Sequence, residues 1–596
     1  MFVQVIPFLR LPRSLTVFDY QVPSVYLTKV EVGSLVQIPW RNKKIWGIVL
    51  ALQETTLTAN PSSLIKAGEF KLNPSVLRAV LARADKLYLP PSTLLNNLLP
   101  ELTWQKRDFT VPTANDDAFA IPVARETGTI SIPTQDTFFE INDQRQRFNL
   151  YRNLVAALSE GEQILFLVPD KISGDLILQS LKQIPSLFTG ALSKSAATWH
   201  WRAVASGRSV TVGTKKALLL PYQNLKYIVV DQEASQHHRQ WDQAPRYDVL
   251  PIARAVAEGS GAALLGVDVC PSAYFYKGIQ EKRVTYKRLT GDASQLRMVE
   301  RPNNHWLALP IQDLLKNRSS LTGQTVWMVN RRGGHTMCIC GRCGQMLTCP
   351  LCGLPVTSED EQITCRHCLQ GKIEKKCLDC GSVGFTNFGL TLDEVGRRLR
   401  KLGFSDIGYF DADSQRWPTN QIVVATSACL PQLLRTSVRR LFLPSFEQFM
   451  IPVDIQTEWQ AFYLLAYLRS LNKPVIVQSR QSESMVTIKP AQFMTRESRR
   501  RLALKLPPYG QLLKVIVKNR NKTAVMKRAL SLQSQWRQKF PRDTIWTPFY
   551  SQPSYRDGTY RCHVIIHPVN NETLDEITKI SYPDIVFDLN PPQLLH

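Results

Sequence analysis

The chain has 596 residues, of which 44% are hydrophobic, so it is long enough for several globular domains. Its formal net charge of +24 is costly through self-repulsion unless a polyanion such as nucleic acid binds, although a generally basic proteome would also produce it. The longest apolar runs are far shorter than the roughly 20 residues of a membrane span, and no signal peptide is recognisable. We therefore expect a cytoplasmic protein without a membrane partner.

The N-terminal part of the chain has the pattern of a small β domain. Residues 1–55 contain short apolar or alternating segments, among them VQVIPF, TVFDYQV and KIWGIVLAL, which are separated by turn residues. A helical stretch follows to about residue 100, so this domain is placed at 1–104. Residues 105–135 are polar and rich in Pro and Thr, which predicts a linker.

Two α/β regions follow. Continuous Ile, Leu and Val segments alternate with amphipathic stretches from residue 136 to 300, which predicts a doubly wound parallel sheet. A second region of this kind covers 301–335 and resumes at 384–485, so the cysteine-rich segment 336–383 is inserted into it. The pattern at 486–596 predicts an α+β domain. The expected fold class is a multidomain α/β protein.

Eight cysteines form four Cys-x-x-Cys pairs: Cys340/Cys343, Cys349/Cys352, Cys365/Cys368 and Cys377/Cys380. Each pair presents two thiolates to one tetrahedral ion, and two pairs complete a closed structural zinc site, so the pattern predicts two zinc ions. The stretch has almost no apolar core, and the metal would supply its folding energy. A disulfide cluster is the alternative, but the other cysteines are scattered and the expected compartment keeps thiols reduced.

Short segments along nearly the whole chain carry a family resemblance. They include FDYQVP, VGSLVQIPW and WGIVL near the N-terminus, VGTKKALLLPY at 212–222, VNRRGG at 329–334, FGLTLDEVGRRL at 388–399, RRLALKLPPYG at 500–510 and YRCHVII at 560–566. In this order, with the cysteine spacing, they resemble the PriA family, the helicases of bacterial replication restart. The resemblance implies a 3′-end DNA-binding domain, two RecA-like helicase lobes, an inserted double zinc ribbon and a C-terminal domain.

The resemblance also implies binding residues in the first domain. The family's 3′-end motif falls on Phe18, Asp19, Tyr20, Gly33 and Lys66. An Asp can accept a hydrogen bond from a 3′-hydroxyl, Gly permits close backbone approach, and Lys can contact phosphate. Alternatively, the two aromatic residues belong to the core of the β domain.

A nearby aromatic and basic turn has two readings. Its residues are Trp40, Arg41, Lys43, Lys44 and Trp46. Such a turn can stack bases and hold phosphates, or it can be a solvated hairpin with buried tryptophans.

The ribbons of the family interleave their ligands. This implies one zinc ion on Cys340, Cys343, Cys377 and Cys380, and the other on Cys349, Cys352, Cys365 and Cys368. Cys338 lies outside the motif and is not expected to be a ligand.

The motor motifs of the family are degenerate in this chain. A P-loop, G-x-x-x-x-G-K-[ST], occurs nowhere in the sequence. The resemblance places it at 141–148, a segment without glycine in which Arg147 has the position of the Lys and Phe148 that of the hydroxyl. The second motif, Asp-Glu-Glu-His in the family, begins Asp231-Gln232-Glu233, and Gln232 cannot act as a general base. ATP and Mg²⁺ are therefore not expected as cofactors.

Other family features are altered or missing too. The third motif has become Gly266-Val267-Asp268-Val269-Cys270-Pro271, and the last motif keeps only Arg469. The family's winged-helix domain has only the 105–135 linker in its place.

These patterns predict an ATPase-inactive member of the family. We expect it to bind forked or 3′-ended DNA in replication restart, DNA repair and recombination, with single-stranded-DNA-binding protein and other primosome proteins as partners. An active ATP-dependent 3′→5′ helicase with a rebuilt site is the alternative. A zinc-ribbon adaptor for another protein is a third possibility.

Overall fold

The computed structural model divides the chain into two compact units. It describes the residues in these ranges: 1–103, 132–181, 186–189, 193–241, 243–289, 291, 296–300, 306–317, 323–330, 337–351, 356–359, 362–365, 373–377, 379–388, 390–450, 454–479, 488–579 and 583–595. The first unit comprises Met1–Glu140, Arg145–Leu289 and Pro568–Leu589. The second comprises Ile141–Gln144, Thr290–His567 and Asn590–His596. Most of the predicted linker, 104–131, lies outside the described residues.

The first unit begins with a four-stranded antiparallel sheet. Its strands are β1 (Phe2–Pro7), β2 (Phe18–Gln21), β3 (Leu35–Trp40) and β4 (Lys43–Gln53), in the order β2-β1-β4-β3. Residues 62–66 join the two edges of this sheet, because the backbone of Gln21 bonds to Ser62 and Leu64 while that of Gln37 bonds to Ile65 and Lys66. The sheet is thereby curled around an aliphatic core.

Two helices follow this sheet, α1 (Pro74–Lys86) and α2 (Pro91–Leu98). The Asn73 side chain caps α1 by accepting a hydrogen bond from the Ser75 N–H, and Pro90 separates the two helices.

A seven-stranded parallel sheet forms the larger part of the first unit. The elements in chain order are β5 (Thr137–Ile141), α3 (Gln144–Ala156), β6 (Gln163–Leu167), α4 (Lys171–Ser180), β7 (Ser186–Thr189), α5 (Lys194–Ala205), β8 (Val210–Gly213), β9 (Leu225–Asp231), β10 (Arg239–Gln240), β11 (Tyr247–Asp248), α6 (Val249–Ser260), β12 (Ala263–Asp268), α7 (Ala273–Gln280) and β13 (Thr285–Leu289). The sheet order is β13-β5-β12-β9-β6-β8-β7, while β10 and β11 form a separate pair. Its central strands β6 and β9 are buried except for Lys226, as their largely apolar sequences require.

Helices α1 and α6 pack closely because Gly259 has no side chain at their contact. A Cβ at Gly259 would lie 2.7 Å from the Cα of Val76. The N-terminal domain and the parallel sheet therefore share one apolar cluster, which includes Phe70 and Trp201.

The second unit contains another parallel sheet, the cysteine-rich ribbon and the C-terminal domain. Its elements in chain order are β14 (Leu296–Glu300), α8 (Leu309–Lys316), β15 (Gln324–Met328), β16 (Met337–Cys340), β17 (Thr357–Glu359), β18 (Gln362–Thr364), β19 (Phe385–Phe388), α9 (Leu392–Lys401), β20 (Ile407–Phe410), β21 (Ile422–Ala425), β22 (Val438–Leu443), α10 (Thr457–Arg469), β23 (Val475–Ser479), α11 (Pro490–Ala503), β24 (Leu513–Asn519), α12 (Lys522–Lys539), β25 (Thr544–Ile545), β26 (Phe549–Arg556) and β27 (Thr559–His567).

These strands form three sheets. The parallel sheet has the order β14-β23-β22-β15-β21-β20, and the ribbon strands have the order β18-β17-β16-β19. In the C-terminal domain β27 pairs antiparallel with β24, β25 and β26. The predicted α/β class with two RecA-like parallel sheets is confirmed.

After β27 the chain returns to the first unit with α13 (Asn571–Lys579) and β28 (Ile585–Leu589). Asp588 in β28 pairs with Arg239 at 2.5 Å and with Arg246 at 3.3 Å. Asp575 in α13 pairs with Arg13 at 2.8 Å. These ion pairs attach the C-terminal segment to the parallel sheet and to the N-terminal domain. In the part of the chain described here, no helix is both long and apolar enough to cross a membrane.

Candidate nucleotide, metal and DNA-binding sites

The segments that the resemblance assigns to the nucleotide motifs lie at the carboxyl edge of the first parallel sheet. Strand β12 lies between β5 and β9, so the strand ends at Glu140, Asp231 and Asp268 are neighbours. Open α/β sheets bind their ligands at this edge. The chemistry of these strand ends therefore decides whether a nucleotide can bind.

The connection from β5 to α3 is too short for a P-loop. Strand β5 ends at Ile141 and α3 begins at Gln144, so only Asn142 and Asp143 lie between them. A P-loop needs a longer, glycine-rich turn whose backbone N–H groups surround the phosphates. Here α3 already begins at Gln144, so only two residues are left to form such a turn, and neither is a glycine.

Arg147 forms a buried ion pair with Asp231. Its Nη1 is 3.1 Å from Asp231 Oδ1, and the two side chains are 1% and 0% exposed. The phenol of Tyr151, one helical turn after Arg147, donates to the same carboxylate oxygen at 2.5 Å. Burial raises the pKa of Tyr151 well above its usual value, so the phenol keeps its proton. A guanidinium and a phenol thus satisfy the carboxylate that would otherwise support a metal ion.

Phe148 occupies the position of the P-loop hydroxyl with an apolar ring. The ring is buried, and the Arg147 guanidinium carbon lies 4.7 Å from its centroid. A phenyl ring offers no ligand to Mg²⁺, and its contact helps hold the guanidinium in place.

Gln232 is held in a strained conformation. It has a φ of +48°. Its amide Nε2 donates to the Ser173 hydroxyl at 2.9 Å. An amide in this arrangement is not a base, so Gln232 cannot activate water.

Glu233 is turned towards the strand end of β12. It accepts a hydrogen bond from the Ser272 N–H at 2.9 Å and another from the Ser272 hydroxyl. Burial raises the pKa of Glu233 to about 8. At neutral pH this carboxyl is therefore mostly protonated, and it acts as a structural group.

Sequence reasoning missed the partners of these residues. Tyr151 is four residues after Arg147, so helical periodicity places both on one face and could have identified it. Asp268 belongs to the altered third motif, and Ser272 directly follows it. Asp268 accepts hydrogen bonds from the backbone N–H groups of Ala234 at 2.9 Å and Val269 at 2.7 Å. No local pattern in the sequence predicts these contacts.

Four of the predicted zinc ligands meet in the ribbon. The Sγ atoms of Cys340, Cys343, Cys377 and Cys380 all lie within 4.8 Å of one another. The Cys340–Cys380 and Cys343–Cys377 pairs are each 3.5 Å apart. A tetrahedral zinc ion with Zn–S bonds of about 2.3 Å places its sulfurs about 3.8 Å apart, so this set fits zinc.

Backbone hydrogen bonds order the turns that carry these cysteines. The carbonyls of Cys340 and Cys377 each accept a hydrogen bond at 2.9 Å, from the N–H groups of Gly344 and Gly381. The backbone N–H of Cys343 also donates to the Cys340 sulfur and lowers the pKa of that thiol to about 6, whereas burial and hydrogen bonds to neighbouring sulfurs raise the pKa of Cys343 and Cys380. The described cysteines form no disulfide.

The other predicted zinc set is described only in part. Cys349 and Cys365 are buried in an apolar cluster, whereas Cys352 and Cys368 lie outside the described residues. Cys338 is buried in this same cluster and not among the four gathered sulfurs.

The C-terminal domain contacts the turn that follows Cys349. The Lys522 ammonium donates to the Pro350 carbonyl at 2.6 Å, and the Ser554 hydroxyl donates to the Leu351 carbonyl at 2.9 Å. Tyr555 packs against the same apolar cluster. The ribbon is therefore held by the C-terminal domain through the backbone of a Cys-x-x-Cys turn.

The predicted DNA-binding residues do not all face the same way. Phe18 packs edge-on against Trp40 at 4.8 Å, and the buried Tyr20 donates its hydroxyl to the Pro39 carbonyl at 3.3 Å. Asp19 points to the opposite face of β2, as alternation requires. There its Oδ2 accepts hydrogen bonds from Thr56 at 2.6 Å and Thr58 at 3.1 Å.

Gly33 and Lys66 have different local roles. Gly33 has a φ of +90°, and a Cβ there would overlap the Leu72 carbonyl, so glycine is required by the fold itself. The Lys66 backbone accepts a hydrogen bond from the Gln37 N–H at 2.8 Å, and its side chain is exposed. Of the five predicted residues, Phe18 and Tyr20 both contact strand β3, through Trp40 and Pro39, whereas Gly33 takes no part in these contacts.

Comparisons with known proteins identify the N-terminal domain. The PriA 3′DNA-binding domain (3′BD) matches residues 8–100. The "Replication restart protein PriA" of Haemophilus influenzae is 27% identical over 41% of this chain and 36% of its own length. That of Rickettsia conorii is 23% identical over 61% and 59%, and that of Thermotoga maritima is 24% identical over 74% and 65%. The matches thus span about a third to two thirds of these relatives.

Among solved structures, Saccharomyces cerevisiae Dbp5 bound to RNA and ADP BeF3 aligns with a TM-score of 0.34 and 9% identity, over 72% of this chain and 92% of that chain. The Escherichia coli DExH-box NTPase HrpB aligns with a TM-score of 0.33 and 10% identity, over 60% and 41%.

The fold and its sites define a protein with two RecA-like sheets, a cysteine cluster that can hold zinc, and a 3′ DNA-binding domain. The N-terminal domain matches the PriA 3′DNA-binding domain, and the chain is similar to replication restart proteins PriA along much of its length, so the predicted resemblance to this family is confirmed.

Glu233 should make stability depend on pH. A carboxyl whose pKa is raised on folding stabilises the protein fully below its unfolded value of about 4.5, and that contribution is lost as pH rises towards 8. The free energy of unfolding of wild type, measured by thermal unfolding, should therefore fall as pH rises across this window, by up to about 1.4 kcal/mol per pH unit. The Glu233→Gln variant, which does not titrate, should show a flatter profile. Parallel profiles for Glu233→Gln and the exposed control Glu160→Gln would contradict this.

The four clustered cysteines should hold one zinc ion, and the neighbouring Cys338 should not be one of its ligands. Cys377→Ser should lower the zinc content by about one ion per chain, because a three-thiolate site binds more weakly. Metal analysis of the purified protein provides the measurement, with Cys338→Ala as the control. Equal zinc loss in the two variants would show that the ligand set is wrong.

Proposed function

We propose that this chain is an ATPase-inactive PriA-like protein that binds forked or 3′-ended DNA during replication restart and primosome assembly. The observation that carries the proposal is the buried Arg147–Asp231 ion pair at 3.1 Å, which fills the metal-binding corner of the nucleotide site. The chain's activity then consists of binding, and its free energy comes from contacts with DNA and partner proteins.

Loss of hydrolysis follows from three independent changes. The backbone donors of a P-loop are missing between β5 and α3. The carboxylate that would support Mg²⁺ is paired with Arg147, and the position of the base is the amide of Gln232. Restoring any one of these would leave the other two, so a single substitution should not create an ATPase.

In the proposed function, the N-terminal domain recognises the 3′ end. The carboxylate of Asp19 is half-buried, and the hydroxyls of Thr56 and Thr58 both donate to its Oδ2. Oδ1 would accept the hydrogen bond of a terminal 3′-hydroxyl, while Lys66 would contact a phosphate. Phe18 and Tyr20 then support this edge by packing, and Gly33 keeps the backbone close to Leu72.

The zinc ribbon would serve as scaffold. Zn²⁺ on Cys340, Cys343, Cys377 and Cys380 would supply structural cross-linking, and we expect a second ion on Cys349, Cys352, Cys365 and Cys368. The contacts of Ser554 and Lys522 to this second turn would then link metal binding to the docking of the C-terminal domain. Single-stranded-DNA-binding protein and other primosome proteins are the proposed partners.

Fork binding with and without a 3′-hydroxyl tests this function. Wild type should bind a fork that ends in a 3′-hydroxyl several-fold more tightly than one that ends in a 3′-phosphate, because a phosphate cannot donate to Asp19 and repels it. Asp19→Asn should reduce this preference, and Glu54→Gln, an exposed change in the same domain, should not. Affinity is measured by fluorescence anisotropy, with and without ATP and Mg²⁺.

Two outcomes would contradict the proposal. Equal, weak binding of both forks by wild type would favour a protein adaptor. Fork binding or unwinding that depends on ATP would favour an active helicase.

A further inference from the structure

The turn between β3 and β4 carries three positive charges on four residues. Strand pairing brings Trp40 opposite Lys43 and Pro39 opposite Lys44, so the chain reverses at Arg41 and Asn42. Arg41 has a φ of +50°, which is the left-handed conformation of a tight hairpin turn. The side chains of Arg41, Lys43 and Lys44 are all exposed.

Two tryptophans fix this hairpin to the domain. The Trp40 ring lies 4.8 Å from Phe18, and the Trp46 ring lies 5.8 Å from the buried Phe70. Both rings are half-buried, so packing accounts for them. The cations between them are therefore presented on a stiff support, and their ordering on binding costs little backbone entropy.

The charges of the hairpin are not compensated by the protein. Among the residues that the structure describes, no carboxylate forms an ion pair with Arg41, Lys43 or Lys44. By contrast, Lys71 in the same domain pairs with Glu31, and Arg202 pairs with Glu69 at 2.5 Å. Three exposed cations on one turn repel one another, and that cost is offset only when a polyanion binds.

The contact between Trp40 and Phe18 places the hairpin beside the strand that carries Asp19. A nucleic acid strand that ends at Asp19 must lead its preceding phosphates away from β2, and the hairpin offers, in addition to Lys66, three exposed cations of the same domain that can neutralise them. Guanidinium and ammonium groups both bind phosphate, and neither reads base identity.

We propose that Arg41, Lys43 and Lys44 bind the phosphates of the DNA strand that precede its 3′ end. This inference rests on the proposed function of the N-terminal domain and adds to it a second, sequence-independent contact. Asp19 would then select the terminal nucleotide, and the three cations would bind the phosphates of the nucleotides that precede it.

The salt dependence of DNA binding tests this directly. Affinity of the full-length chain for a fork with a 3′-hydroxyl is measured by fluorescence anisotropy over a series of KCl concentrations. The Arg41→Ala/Lys43→Ala/Lys44→Ala variant should bind roughly tenfold more weakly near physiological salt, and its slope of log Kd against log[KCl] should fall by about 2 to 3. Its preference for a 3′-hydroxyl over a 3′-phosphate should be unchanged.

A charge-matched control separates local contact from net charge. The Lys29→Ala/Arg78→Ala/Lys86→Ala variant also removes three exposed cations of the same domain. Its slope should remain close to that of wild type. Identical slopes for the two triple variants would overturn the proposal.

Failure of the proposed function gives a different result. Wild type would then show no 3′-hydroxyl preference, whereas the difference in slope between the triple variants would still report whether the hairpin contacts phosphate. Arg41→Lys, which keeps the charge, should retain most of the wild-type slope.

Discussion

The buried ion pair between Arg147 and Asp231 is the interaction on which the rest of the structure depends. Both charges are removed from water, and the pair is stable only because Tyr151 satisfies the same carboxylate. Loss of one partner would leave an uncompensated buried charge, at a cost of about 3–5 kcal/mol. The site that would bind nucleotide in an active motor is therefore, in our proposal, part of the core of the first unit.

The buried ion pair also explains the roles of the neighbouring residues. With no metal expected on Asp231, the neighbouring Glu233 is free to serve the core as a protonated, hydrogen-bonded carboxyl with a pKa of about 8. The exposed chemistry of the chain then lies elsewhere, in the cysteine cluster and in the N-terminal domain. The arginines of α11 illustrate the same division, because Arg500 and Arg501 both pair with Glu497, which holds their side chains against the protein.

Much of this could be predicted from the sequence where local pattern determines structure. Aliphatic strands, Cys-x-x-Cys spacing and the missing P-loop glycines can each be recognised within a few consecutive residues. The contacts that give them meaning cross long stretches of chain. Ser272 reaches Glu233, and Ser554 reaches Leu351, only through strand order and domain packing. The opposite orientation of Asp19 relative to Phe18 was implicit in strand alternation, whereas its two threonine partners were not.

ATP turnover in the presence of forked DNA tests most directly whether the ion pair has replaced the nucleotide. We expect no hydrolysis above background for wild type and none for Asp231→Ala, a substitution that should instead lower stability. DNA-stimulated turnover by wild type that Asp231→Ala abolishes would contradict this, because it would show that the carboxylate paired with Arg147 still supports catalysis.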